Sequence, residues 1–166
     1  MKGRYRATNA KYRATTAKYR RGIFVVAYCR NKEGGIEYLV LRRKHHWNGW
    51  EVPKGGLEPG EGKTEAARRE VREETGLIPT SIKRFSYSGK YRYSRIFPDR
   101  PEIMGQTFSL YAAEVRKGKV KIDKREHRGY VWLNFEDAAR RVTFSEQKKS
   151  LKMVNDWLTA NESVKN

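Results

Sequence analysis

The sequence predicts an α/β domain in which helices flank a mixed central sheet. Three patterns carry that expectation. Two β-branched, apolar runs at residues 23–28 and 36–41 are joined by a turn, an acid-rich helical segment at 64–75 stops at Gly76, and Leu151, Val154 and Leu158 stand at helical spacing near the end. Strands and helices interleaved in this order bury their apolar faces by layering helices on a sheet. At 166 residues the chain can bury one core but not two comfortable ones. The domain is expected over residues 22–160, between a basic N-terminal segment (1–21) and a short tail (161–166).

The elements follow in order. Residues 1–22 hold eight Lys/Arg and no acid, in a period-seven repeat that begins at Tyr5-Arg6-Ala7-Thr8, returns as Tyr12-Arg13-Ala14-Thr15 and ends in Tyr19-Arg20. Ala7, Ala10, Ala14 and Ala17 fall at helical spacing, but alanines bury too little to hold a lone helix together. The segment therefore reads as a tail that is flexible unless bound. An RNA- or ribosome-binding arm, with Tyr to stack and Arg for phosphate, and an organelle transit peptide are the alternatives.

Residues 31–35, Asn-Lys-Glu-Gly-Gly, close the first two strands into a hairpin. A short strand is expected at 50–52, before Pro53. A glycine-rich loop over 55–62 and a helix over 64–75 follow, with Gly76 as C-terminal cap. Further strands are expected near 82–93 and at 107–115, the second with alternating polarity. A short strand at 130–133 leads to a helical turn at 136–141, and Ser145 is read as the cap of the closing helix.

The longest apolar run, residues 23–29, is far below the roughly 20 residues needed to span a bilayer as a helix, so no membrane association is expected. The single cysteine, Cys29, allows no internal disulfide and no thiolate zinc site, which points to a cytoplasmic location. Net charge is +18, of which +10 lies beyond residue 22. Such a field concentrates polyanions without choosing among nucleotides, inositol phosphates and RNA.

The chemistry is carried by residues 53–62, Pro-Lys-Gly-Gly-Leu-Glu-Pro-Gly-Glu-Gly, and 69–77, Arg-Glu-Val-Arg-Glu-Glu-Thr-Gly-Leu. On a helix, Glu70, Glu73 and Glu74 share an arc of about 100°, with Arg68, Arg72 and Glu65 opposite. Like charges at these spacings repel, so a cation is expected among them. Hard oxygen ligands suit Mg²⁺ or Mn²⁺, whereas zinc prefers His or Cys. Four glycines in the preceding eight-residue loop let backbone approach a metal or phosphate closely.

Gly55, Glu61, Arg69-Glu70, Val71, Glu73-Glu74, Gly76 and Leu77 stand at the spacing G-x5-E-x7-R-E-U-x-E-E-x-G-U, where U is apolar. This resembles the Nudix box at every specified position. The resemblance implies a Nudix α/β/α sandwich with a mixed central sheet, in which the box forms a metal-binding loop-helix-loop. It implies Glu70 and Glu74 as direct metal ligands, Glu73 as a third ligand or one acting through water, and the Gly55 carbonyl as a further ligand. Arg69 is implied to orient the glutamates and Glu61 to fix the loop with it. The reaction implied is attack of an activated water on phosphorus, with Glu70 or a distal glutamate as base.

Pro53-Lys54-Gly55 resembles asymmetric diadenosine tetraphosphate hydrolases and RNA pyrophosphohydrolases. So does Glu126-His127-Arg128-Gly129-Tyr130-Val131-Trp132, similar to their E-H-x-x-Y-x-W segment. By that resemblance Glu126 is the distal metal ligand or base and Tyr130 stacks on a nucleobase, the alternative being that Tyr130 is core. Lys54 is read as a phosphate contact. His46, with His45 and Trp47, lines the pocket or forms an exposed turn. Arg42, Arg43 and Lys44 bind phosphate or form a solvated strand end, and Tyr87, Tyr91 and Tyr93 cover the substrate or form an exposed hairpin. His127 is read as structural.

The expected function is Mg²⁺-dependent hydrolysis of a pyrophosphate bond in a nucleotide-type substrate, foremost a dinucleoside polyphosphate such as diadenosine tetraphosphate. An RNA 5′ pyrophosphohydrolase and a diphosphoinositol polyphosphate hydrolase share that chemistry. An RNA-binding module on the same fold is the reading from a different class, and the intact box speaks against it.

Overall fold

A computed structural model describes residues 18–163. In chain order its elements are β1 (Lys18–Arg30), β2 (Ile36–Arg43), β3 (Gly49–Glu51), β4 (Lys54–Gly56), α1 (Lys63–Thr75), β5 (Pro79–Arg92), β6 (Ile103–Val115), β7 (His127–Leu133), α2 (Phe135–Arg141) and α3 (Ser145–Ser163). The expected α/β architecture forms. Strands run β3-β2-β1-β6-β5, with β4 added to β1 and β7 to β2. β1 and β6 are parallel from Lys18↔Ile103 to Tyr28↔Glu114, and the other pairings are antiparallel, so the sheet is mixed.

β1 reads as an unbroken apolar run because both of its faces are covered. Ile23, Val25, Ala27 and Cys29 pack beneath Ala66, Ala67 and Val71 of α1. Phe24, Val26 and Tyr28 pack on the other face against Ala138 of α2 and Leu151, Val154 and Leu158 of α3. Gly76 ends α1 as expected, at φ 71°, with its N–H donating to the Arg72 carbonyl.

Several boundaries differ from the sequence reading. β1 begins at Lys18, so residues 18–21 of the basic segment are strand; β6 supplies the backbone ladder, Lys18 and Arg21 stay exposed, and Arg20 is half-buried. The remainder of the heptad repeat, residues 1–17, lies outside the described residues. Lys54–Gly56, expected as loop, is strand β4, because Gly22↔Gly56 and Ile23↔Gly55 pair without side-chain obstruction. Ser145 opens α3, but its hydroxyl donates to the Glu146 carboxylate at 3.1 Å. Among the described residues no helix is long and apolar enough to cross a membrane.

Candidate active site

The glycine-rich segment and α1 are locked together by one guanidinium. Arg69 Nε donates to Glu61 Oε1 at 2.7 Å and Nη2 donates to Glu61 Oε2 at 2.9 Å. Nη2 also donates to the Gly56 carbonyl at 2.9 Å, while Nη1 reaches Glu70 Oε1 at 2.8 Å and Glu73 Oε2 at 3.0 Å. The Glu61 carboxylate in turn accepts the Glu58 N–H and closes the turn before the helix. Glu61 is held below the ordinary carboxylate range, chiefly by its hydrogen bonds from Arg69.

Of the three helix glutamates, Glu70 and Glu74 are buried, at 7% and 4% exposure, and Glu73 is more than half exposed. Glu70 faces Gly55, where a Cβ would come within 1.9 Å of Glu70 Oε1. Glu74 Oε2 accepts the backbone N–H of Lys54 at 3.1 Å. Burial raises Glu70 to about 7 against the opposing pull of Arg69. It raises Glu74 well above the ordinary range, with Glu51, Glu70 and Glu126 adding repulsion.

A second layer lies beneath this helix. The register between β2 and β7 shifts after Arg42↔Gly129, so that Arg43 pairs with His127 rather than Arg128. That bulge sets His127 and Arg43 beside Glu51, which pairs with Leu41 on β3. Arg43 Nη1 donates to Glu51 Oε1 at 3.1 Å and to Glu126 Oε2 at 2.7 Å. His127 Nε2 lies 3.0 Å from Glu51 Oε1, and Lys54 Nζ lies 3.5 Å from Glu51 Oε2. Glu51 and His127 are fully buried. Although burial opposes it, the charge of Lys54 leads the set of partners that hold Glu51 at about 2.

These groups open on a cavity of about 510 Å³, within the range of small-molecule sites. Glu70, Glu73, Glu74 and Glu126 line it, together with the cations Lys54, Arg43 and Arg20. His46, Trp47, Tyr91, Tyr93, Phe97 and Phe144 form an aromatic wall. His46 stacks on Phe97 with centroids 4.0 Å apart, and its Nε2 lies 3.0 Å from Asp99 Oδ1. His46 has φ 69°, a left-handed conformation uncommon for a residue with a side chain. Burial lowers its proton affinity.

Most of the site residues read from the sequence converge here: Lys54, Gly55, Glu70, Glu73, Glu74, Glu126 and His46 line the cavity, and Arg69 does so beside its partner Glu61. Two do not. Tyr130 pairs with Leu41 in the β2–β7 ladder, is 42% exposed and does not line the cavity. Arg42 projects from the opposite face to Arg43, its guanidinium 5.8 Å from the Trp50 ring. Strand alternation turns Arg42 away, since neighbouring residues point to opposite faces, whereas Tyr130, paired with Leu41 and so on the same face as Arg43, is kept off the cavity by its place on β7, a strand away from β2. Arg43, expected as a solvated strand end if not a phosphate contact, is 5% exposed and paired.

Sequence reading overlooked Glu51, Arg20, Phe97 and Phe144. A lone glutamate between Trp50 and Val52 in a short strand was the available signal for Glu51. Arg20 was concealed in the basic repeat. Its guanidinium lies over Gly56, where a Cβ would be 2.0 Å from Nε, and among the described residues it has no hydrogen bond or ion pair.

The donor set fits a hard divalent cation. Glu51, Glu61, Glu70, Glu73, Glu74 and Glu126 outnumber Arg43, Lys54 and Arg69, which pair with them, and burial raises the proton affinity of Glu70 and Glu74, so a dication would compete with protons there. Oxygens on Glu74 and Glu126 lie within 4.8 Å of each other, and Gly55 brings backbone directly against Glu70.

Comparison with known proteins agrees with this geometry. The NUDIX domain family model matches residues 18–154. The chain is 34% identical over 127 residues to the asymmetrical bis(5'-nucleosyl)-tetraphosphatase of Mus musculus, covering 74% of this chain and 81% of that protein. It is 31% identical over 106 residues to the nucleoside triphosphatase NudI of Escherichia coli K12, covering 63% of this chain and 74% of that one. In fold it is similar to a C. elegans Ap4A hydrolase solved as a binary complex, with TM-score 0.70 at 22% identity, covering 85% of this chain and 98% of that one.

Proposed function

Since the chain belongs to the NUDIX family and is a hydrolase of phosphoanhydride bonds in nucleotides, we propose that it is a Mg²⁺- or Mn²⁺-dependent hydrolase of dinucleoside polyphosphates, of the asymmetric diadenosine tetraphosphate type. The observation that carries this reading is the cavity itself, which joins a buried carboxylate cluster to a cationic strip and an aromatic wall. That sequence of chemistries matches metal, polyphosphate and base. The curated relatives of mouse, rat and pig at 31–34% identity are asymmetrical tetraphosphatases, which supports the same substrate class.

Glu74 and Glu126, with Glu70, Glu73 and the Gly55 carbonyl beside them, would hold the divalent cation. When bound, it supplies charge neutralisation at the phosphates and makes water a better nucleophile. The chain's own groups do the rest. Lys54, buttressed by Glu51, and Arg20, which has no ion pair among the described residues, bind non-bridging phosphate oxygens. Arg69 fixes Oε1 of Glu70, which leaves Oε2 to take the proton of the attacking water. Tyr91, Tyr93 and Phe97, with His46 on Phe97, stack against a base and exclude water from the polyphosphate.

A second reading is supported by Arg20. It continues in one strand from the basic N-terminal segment into the cavity, the path a 5′-triphosphorylated RNA would follow. Both readings are tested by comparing kcat/KM with Mg²⁺ on diadenosine tetraphosphate, 5′-triphosphorylated RNA, a diphosphoinositol polyphosphate and a nucleoside diphosphate sugar. The dinucleotide is expected to lead by at least about tenfold, about 1.4 kcal/mol in transition-state binding. If RNA leads, and deleting residues 1–17 removes that lead and flattens its salt dependence, the second reading replaces the first.

A further inference from the structure

His127 carries a buried atom that nothing in the fold satisfies. The residue is fully buried at the start of β7, and its Nδ1 has no hydrogen-bond partner. Leaving a buried polar atom unpaired is costly, and a structure retains one where a water, an ion or a ligand completes it. The other ring nitrogen, Nε2, is engaged by Glu51 Oε1 at 3.0 Å. A carboxylate is only an acceptor, so Nε2 carries a hydrogen, and Nδ1 is the ring atom left for another partner.

Two acids stand near this ring. A ring nitrogen of His127 and carboxylate oxygens of Glu74 and Glu126 lie within 4.8 Å of one another. Two ligand atoms each about 2.2 Å from one ion stand up to about 4.4 Å apart, so this grouping needs little closure to share an ion. Each carboxylate has one oxygen tied down, Glu74 Oε2 by the Lys54 N–H and Glu126 Oε2 by Arg43. Among the described residues the second oxygen of each has no hydrogen bond. Two carboxylates balance the charge of one dication, and imidazole ligates metals as the neutral ring.

We infer that His127 Nδ1 is a nitrogen ligand to the divalent cation held by Glu74 and Glu126, that Glu51 orients the imidazole, and that the site therefore prefers Mn²⁺ or a similar transition ion to Mg²⁺. This rests on the reading of the carboxylate cluster as a cation site. The arrangement carboxylate, imidazole, metal is a recurrent way to fix a ligand's tautomer and direction. Imidazole is a good ligand for first-row transition ions, whereas Mg²⁺ demands oxygen and dehydrates reluctantly. The β7 bulge gains a purpose, since without it Arg128 would stand opposite Arg43 and His127 would not reach Glu51.

The test uses a full-length chain carrying His45→Gln and His46→Gln. Those two residues form a second cluster with Asp99, His46 being on the aromatic wall of the cavity, and their removal leaves His127 as the single histidine of the three in the sequence. Pulsed electron paramagnetic resonance of its Mn²⁺ complex should show one ¹⁴N coupling that becomes ¹⁵N when histidine alone is labelled. Mn²⁺ bound without nitrogen coupling overturns the inference while leaving the carboxylate site standing. A folded protein that binds no Mn²⁺ overturns both. In the same background Glu51→Gln should weaken Mn²⁺ about 10–100-fold, and His127→Gln at least about tenfold, with Mg²⁺ affinity changing by less than about threefold. Equal losses for the two ions would also overturn it. The resonance measurement needs no change at His127, so misfolding of that variant decides nothing by itself.

Discussion

Arg69 and Glu61 meet fork to fork, Nε on Oε1 at 2.7 Å and Nη2 on Oε2 at 2.9 Å, and this pair ties the loop to the helix that carries the acids. Lysine cannot reproduce it, because an ammonium is a point donor that cannot also reach the Gly56 carbonyl, Glu70 and Glu73. Arg69→Lys is expected to lower kcat about 10–100-fold with divalent metal present, as loss of a ligand-orienting partner does. It should also destabilise the fold by roughly 1–3 kcal/mol. Steady-state rates and thermal melts measure both, and a rate within twofold of the parent would refute the orienting role.

Gly56 and Arg20 make a coupled pair. A Cβ on Gly56 would strike the Arg20 guanidinium, so Gly56→Ala should act by pushing that cation off the polyphosphate strip. Arg20→Ala and Gly56→Ala are each expected to raise KM for the polyphosphate about tenfold, roughly 1.4 kcal/mol. Because both remove one interaction, the double variant should be little worse than either. Additive losses would show that Gly56 acts some other way.

Phe97 supports His46 at 4.0 Å and meets Tyr93 at 4.8 Å between ring centroids. Phe97→Ala should therefore weaken base stacking by about 1–2 kcal/mol, raising KM about 5–30-fold with a smaller change in kcat. An inorganic polyphosphate without bases should not register the change. Equal effects on both substrates would place Phe97 in the scaffold rather than in base recognition.

Without metal, the buried acids make stability fall with pH. Burial holds Glu70 at about 7 and Glu74 well above the ordinary range, so the folded state binds more protons than the unfolded one above about pH 4.5. Their stabilising contribution is present below that pH and lost as pH rises through the folded values. Glu74→Gln removes part of the penalty. In chelator, its melting temperature should match the parent near pH 5 and exceed it by at least about 3 °C at pH 8, while Mg²⁺-dependent turnover is lost. Glu73→Gln, at a half-exposed position, should shift the metal-free melt by less than about 1 °C. A parent melt that does not fall from pH 5 to 8 relative to Glu74→Gln would contradict the assignment.

How much was legible depends on whether a residue's role is local. The helix periodicity that puts Glu70, Glu73 and Glu74 on one arc, and the spacing of Gly55, Glu61 and Arg69, are properties of a short segment, and they survive folding unchanged. Tyr130 shows the limit. Its place in a motif was plain, but its distance from the cavity depends on which strand it joins, and pairing with Leu41 from β7 leaves it exposed beyond the cavity lining. Arg42 and Arg43 look alike as neighbours, yet alternation sends one to solvent over Trp50 and the other into the ion-pair network.

The class of fold, the family and the acidic helix were therefore determined by the sequence alone, because periodicity, turn chemistry and the box act over a few residues to a few turns. The tertiary structure decided the second layer: that Glu51, Arg43 and His127 lie under Glu74 and Glu126, that Arg20 from the basic segment enters the cavity, and that Phe97 rather than Tyr130 stands on its wall. Those contacts include Glu51 with His127, 76 residues apart, and Arg43 with Glu126, 83 apart, and only the strand register and a bulge bring them together.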